Sequence, residues 1–226
     1  VIGVRDLSVR LGGEQALHGV TFQPIAGAVT ALCGPNGAGK STLLRGLAGL
    51  LPGERPDPRH TAYLPQGARC AWGLTVRQVA SLGRIPHGDI NEAAVDAALA
   101  ACGVTALAHR RVDQISGGQA RRAMLARVLA TEPECLLLDE PVADLDPAAC
   151  HDVMRLLRRF AAACGTVVLV LHALELAAQY ADRLVVLQAG RIIADGAPAD
   201  VLPAAATAFG MIYQPGAIPL LRPQES

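Results

Sequence analysis

The sequence predicts an α/β domain with a mostly parallel sheet core, and three observations carry that prediction. Short, predominantly apolar runs recur at Val29 to Cys33, Cys135 to Leu138 and Thr166 to Leu171. Runs without polar alternation are the pattern of strands covered on both faces. Amphipathic stretches of helical period lie between them, so strand and helix alternate after residue 29. The composition allows a thick core: of 226 residues, 51% are hydrophobic and only 18% charged. That suits a single domain over 1–226 and excludes a disordered chain.

In order along the chain, Val4 to Leu11 reads as a strand, Gly12-Gly13 as a turn and Gly19 to Phe22 as a second strand, with a break at Gly27. After the Val29 strand comes a glycine-rich stretch and then an apolar-periodic helix, Leu43 to Leu50. Pro52 to Arg59 is rich in Pro, Gly and charge, hence a surface loop. Thr61 to Leu64 is a strand. Thr75 to Gly103 reads as helices, with Asn91 as an N-cap and Gly103 as a stop. Ser116 caps a longer helix to about Ala130, and Ala148 to Cys164 is another, stopped by Gly165. Leu174 to Tyr180 is a short helix, and Arg183 to Leu187 with Arg191 to Asp195 form a hairpin across Ala189-Gly190. The tail over 203–226 has no clear period and stays unassigned.

Charge narrows the function. Lys plus Arg equal Asp plus Glu at 20 each, so no global field draws the chain to nucleic acid, and no nucleic-acid partner is expected. Lys40 is the only lysine in the sequence. The six cysteines contain no CxxC pair, and the expectation is reduced, intracellular thiols. No apolar run approaches the ~18 residues of a membrane span. The start, VIGVRDLSVR, lacks the layout of a signal peptide and an initiating methionine, so a few residues are expected before it.

Three motifs carry chemistry. Gly34-Pro35-Asn36-Gly37-Ala38-Gly39-Lys40-Ser41-Thr42 fits GxxxxGK[ST] and stands between a predicted strand and a predicted helix. Its backbone N–H groups can cradle phosphate oxygens, and the helix N-terminus adds partial positive charge. Lys40 is expected to bridge the β- and γ-phosphates of ATP, and Ser41 to bind Mg²⁺. The apolar strand at Cys135 ends in Asp139-Glu140. There Asp139 can hold Mg²⁺ through water, while Glu140 can act as the general base on an attacking water. Ser116-Gly117-Gly118-Gln119 opens a helix in the manner of an anion site, or of a simple N-cap.

Taken in this order, the three motifs resemble the nucleotide-binding domain of ABC transporters, over about Val4 to Gly196. The resemblance implies an ABC-type ATPase fold: a phosphate-loop core, a small antiparallel β subdomain and a helical subdomain at about 67–130. Gln66, in Tyr63-Leu64-Pro65-Gln66, matches the glutamine that reaches Mg²⁺ and the attacking water. Ala143-Asp144-Leu145-Asp146 matches the loop that crosses the dimer interface, and His172 the switch histidine at the γ-phosphate. Lys40, Gln66, Glu140 and His172 are thus the expected catalytic set. ATP on Gly34 to Thr42 of one subunit would be covered by Ser116 to Gln119 of a second, most simply an identical copy. Integral-membrane permease subunits are the other implied partners, which places the chain at the cytoplasmic face of the membrane.

Two departures from the family stand out. Leu11 occupies the place of an aromatic that stacks on adenine, and the short Leu51 to Ala62 segment leaves a trimmed antiparallel subdomain. After Gln66, where relatives meet their permease, Trp72 would suit docking or the core. Thr75-Val76-Arg77 and Leu82-Gly83-Arg84-Ile85-Pro86-His87 look like importers of iron–siderophore, haem or cobalamin, while the short lead into Gln66 looks like zinc and manganese importers. His60 and His87 lack a ligand cluster and are not read as a metal site. Soluble ABC ATPases acting on DNA or ribosomes carry coiled coils or basic surfaces that this sequence lacks. Exporter cassettes share the motifs, usually fused to membrane helices.

Overall fold

The computed structural model describes residues 2–51, 55–70 and 73–210. Strands β1 (Val4–Leu11) and β2 (Glu14–Phe22) form an antiparallel hairpin, a two-stranded sheet of its own. The remaining strands are β3 (Val29–Cys33), β4 (Thr61–Leu64), β5 (Cys135–Asp139), β6 (Thr166–Val170), β7 (Arg183–Gln188) and β8 (Arg191–Gly196). They lie side by side in the order β4-β5-β6-β3-β7-β8. All are parallel except β8, which returns antiparallel on β7.

Period-two alternation along these strands separates two cores. Leu32, Leu137, Val168, Val170, Val185 and Leu187 face helix α1 (Lys40–Leu47) and the β1–β2 hairpin. Ala31, Leu136, Leu138, Val167, Leu169 and Val186 face the other way, into the larger core. That core holds helices α2 (Val76–Ser81), α3 (Glu92–Ala101), α4 (Gly117–Leu129), α5 (Pro147–Ala162), α6 (Leu174–Tyr180) and α7 (Pro198–Ala208). Burial on both faces is why these strands read as continuous apolar runs.

Three expectations are corrected. The first helix starts at Lys40 and ends at Leu47, not Leu43 to Leu50, because Gly39 serves as its N-cap residue without any side-chain cap. The second strand starts at Glu14, its polar first residues being exposed on the hairpin. The start of the tail is helical: α7 begins at Pro198, where a fixed φ favours the first turn, and carries Pro203 within it. Residues 211–226 and Trp72 lie outside the described residues.

Helix α4 is gripped at its C-terminal end by the segment that follows α2. Gly83 lies so close that a Cβ there would stand 2.0 Å from the Arg127 carbonyl oxygen. Arg84, only 4% exposed, donates to the Ala130 carbonyl and pairs with Asp89 and Glu132. His87 Nε2 donates to the Thr131 carbonyl at 2.8 Å. These contacts satisfy carbonyls that the end of a helix leaves open. His60 pairs with Glu134 at 2.9 Å.

Candidate ATP site

The site forms where β3, β5 and β6 end, the edge at which an open α/β sheet leaves a crevice. Gly34 follows β3 at φ 140, and a Cβ on it would meet the Leu187 carbonyl oxygen at 2.1 Å. Gly39, at φ 100, would meet the Ala16 carbonyl oxygen at 2.7 Å. The loop is therefore wedged between β2 and the β7–β8 turn, and only glycine fits at either position. Gly190 in that turn donates to the Ala38 carbonyl and accepts from the His18 N–H.

Because Gly39 has no side chain to cap α1, the first N–H groups of that helix stay available to an anion. Lys40 is buried, and its ammonium donates to the carbonyls of Gly34 and Pro35 at 2.7 and 2.9 Å. Burial lowers the Lys40 pKa, opposed by Cys33, Glu140 and Asp139. Cys33, directly before the loop, is an inert thiol that burial pushes up to about 12.

Asp139 ends β5 and is 1% exposed, with Oδ1 lacking any hydrogen-bond partner. Burial raises its pKa, against a hydrogen bond from Ser41 and the charges of Arg45 and Lys40. A buried carboxylate oxygen without a donor, beside a serine hydroxyl, is a donor set that fits a hard divalent cation.

Glu140 follows at φ 53, a conformation that a non-glycine residue rarely adopts. Its Oε1 accepts from Gln66 Nε2 at 2.8 Å and from His172 Nε2 at 2.7 Å. Gln66 arrives on the loop after β4 and His172 on the turn after β6, so three strand ends converge on one carboxylate.

Leu11 closes β1, paired with Glu14 and 44% exposed. Ser116 is the N-cap of α4: its hydroxyl accepts from the Gln119 N–H, and the Gln119 side chain accepts from the Ser116 N–H. Among the described residues no hydrogen bond joins Ser116–Gln119 to the Gly34–Thr42 loop. Asp146 caps α5 through the Ala149 N–H, and Asp144 in the preceding loop has φ 63. One residue escaped the sequence reading. Arg121, on α4, is buried against the backbone of Asp139, Glu140 and Pro141. No local signal sets it apart, because a charged residue on a helix reads as part of a solvated face.

A family model for ABC transporters matches residues 17–143. The hemin import ATP-binding protein HmuV of Rhizobium meliloti is 39% identical over 231 residues, covering 89% of this chain and 87% of that protein. The protein of the same name from Streptomyces coelicolor is 44% identical over 216 residues, covering 86% and 77%. Among solved structures, the CbiO1 subunit of Clostridium perfringens, part of an ABC transporter complex, is 29% identical with a TM-score of 0.75, covering 88% of this chain and 89% of that one. A nucleotide-free ATP-binding cassette aligns with a TM-score of 0.81 at 24% identity, over 92% and 97%, and supports the fold. The chain belongs to the ABC transporter family, as an ATP-binding subunit that hydrolyses ATP.

Proposed function

We propose that this chain energises a membrane importer of metal chelates, with haem as the first candidate cargo, by hydrolysing Mg²⁺·ATP in a head-to-tail dimer. The convergence of Gln66 and His172 on Glu140, beside the unpartnered Asp139 oxygen, carries the hydrolytic part. The cargo reading rests on the relatives named for hemin import.

ATP is taken by the Gly34–Thr42 backbone and Lys40, whose ammonium leaves the Gly34 and Pro35 carbonyls for the phosphates. Leu11 packs on adenine without offering a π face. Ser41, Asp139 and Gln66 would hold Mg²⁺, which supplies charge neutralisation at the phosphate oxygens. Glu140 takes the proton of the attacking water, positioned by Gln66 and His172. Ser116, Gly117, Gly118 and Gln119 cover the nucleotide of the second subunit. Gly117 supports this: among the described residues a Cβ there meets nothing within 4 Å, so no packing among them calls for glycine. Loss of the γ-phosphate then lets the dimer open.

The permease is expected on the surface after Gln66, where a cavity of about 220 Å³ lies among Arg69, Cys70, Leu74, Leu82, Met124 and Arg127. Among the described residues no helix is long and apolar enough to cross a membrane. Attachment at the cytoplasmic face would therefore run through that permease.

Glu140→Gln tests the base. Turnover should fall by at least ~100-fold while ATP binding persists and ATP now drives stable dimerisation; undiminished turnover would sink the assignment. Growth of the host on haem iron should be lost on deleting the gene and restored by the wild-type chain, which tests the cargo.

A further inference from the structure

Arg121 lies one turn into α4, 8% exposed, and its guanidinium is spent on backbone. Nε donates to the Pro141 carbonyl at 3.3 Å, and Nη2 donates to the Asp139 carbonyl at 3.3 Å and also to that of Glu140. Among the described residues it forms no salt bridge, although the charges of Asp144, Glu140 and Asp139 all act on it. A buried cation without a bonded carboxylate is costly, and a helix of this kind could have buried a leucine there. What the guanidinium does instead is bind three successive carbonyls across the left-handed turn at Glu140. Such strain persists only where the surroundings over-determine it.

We propose that Arg121 is a positioning residue for ATP hydrolysis: it fixes the Asp139–Pro141 backbone so that the Glu140 carboxylate stays between Gln66 and His172. It also ties that backbone to the helix whose first turn is Ser116–Gln119, so the segment offered to a second subunit and the base of the chain's own site share one rigid support. This rests on the reading of Glu140 as the base.

Steady-state ATP turnover of the full chain with Arg121→Gln and Arg121→Lys tests it, alongside Glu140→Gln. Arg121→Gln should lower kcat at least ~10-fold with KM for ATP changed less than ~2-fold, the mark of a group that acts only in the chemical step. Arg121→Lys keeps the charge but loses the fork, and should fall between the two. If the glutamine variant does not fold, the lysine variant carries the test, because its kcat must still drop at constant KM. A wild-type kcat in either variant overturns the proposal, as does a fall in kcat matched by an equal loss of ATP affinity. Turnover lost in Glu140→Gln but intact in Arg121→Gln removes Arg121 alone. Turnover that survives Glu140→Gln removes the base reading itself.

Discussion

The phosphate loop and the Ser116–Gln119 turn both lead into helices through glycines, yet the chain treats them in opposite ways. At Gly34 and Gly39 the backbone is left-handed and neighbouring carbonyls stand where a Cβ would be. The helix behind them has no side-chain cap. At Gly117 and Gly118 the backbone is ordinary; Gly117 faces open space and Gly118 meets only the end of the Leu145 side chain at 3.2 Å. The helix behind those two is capped by its own Ser116 and Gln119. The first pair of glycines is thus demanded by the fold. Among the described residues, nothing demands glycine at Gly117 and only a flexible side-chain end crowds Gly118, which fits a requirement set by what the chain meets.

Substitution should separate the two demands. The largest effect is expected for Gly34→Ala, which combines forbidden φ with a backbone clash. Stability should fall by more than ~4 kcal/mol, read by urea unfolding, and nucleotide binding should go with it. Gly117→Ala should leave stability unchanged or raise it by up to ~1 kcal/mol, since alanine is the better helix former. Turnover and ATP-dependent dimerisation should nonetheless drop by about tenfold or more, an effect that double-mutant kinetics with the partner can read. A Gly117→Ala chain that unfolds like Gly34→Ala would erase the distinction. The smallest effect belongs to the adenine end of the loop's own half. Leu11→Tyr should lower KM for ATP about two- to tenfold, from ~0.5–1.5 kcal/mol of ring stacking, with kcat untouched.

Much of this was legible in the sequence, for reasons that can be named. Val29–Cys33 and Thr61–Leu64 were bounded correctly because a doubly covered strand leaves an apolar run that stops abruptly. Asn91 and Ser116 announce helices through side chains that can accept a backbone N–H. The start of α1 was missed because Gly39 offers no such acceptor, and α7 because an alanine-rich helix interrupted by Pro203 carries little periodicity. In the site, the loop and the acidic pair stood out as local strings. The meeting of Gln66, Glu140 and His172, 74 and 32 residues apart, is a product of strand order and rested on resemblance alone. Arg121 was invisible, since a charged residue on a helix reads as a solvated face. The Gly83-Arg84-His87 run, which resembles importers of metal chelates, also holds the end of α4.

That grip has a mechanical consequence. Helix α4 has 13 residues, a strut of roughly 20 Å. Its far end is fastened to the 82–87 segment, and its near end, through Arg121, to the strand end that bears Glu140. Packed interiors yield little under load and pass strain on. A push delivered at residues 82–87 would therefore either shift the Glu140 carboxylate or break one of these two fastenings.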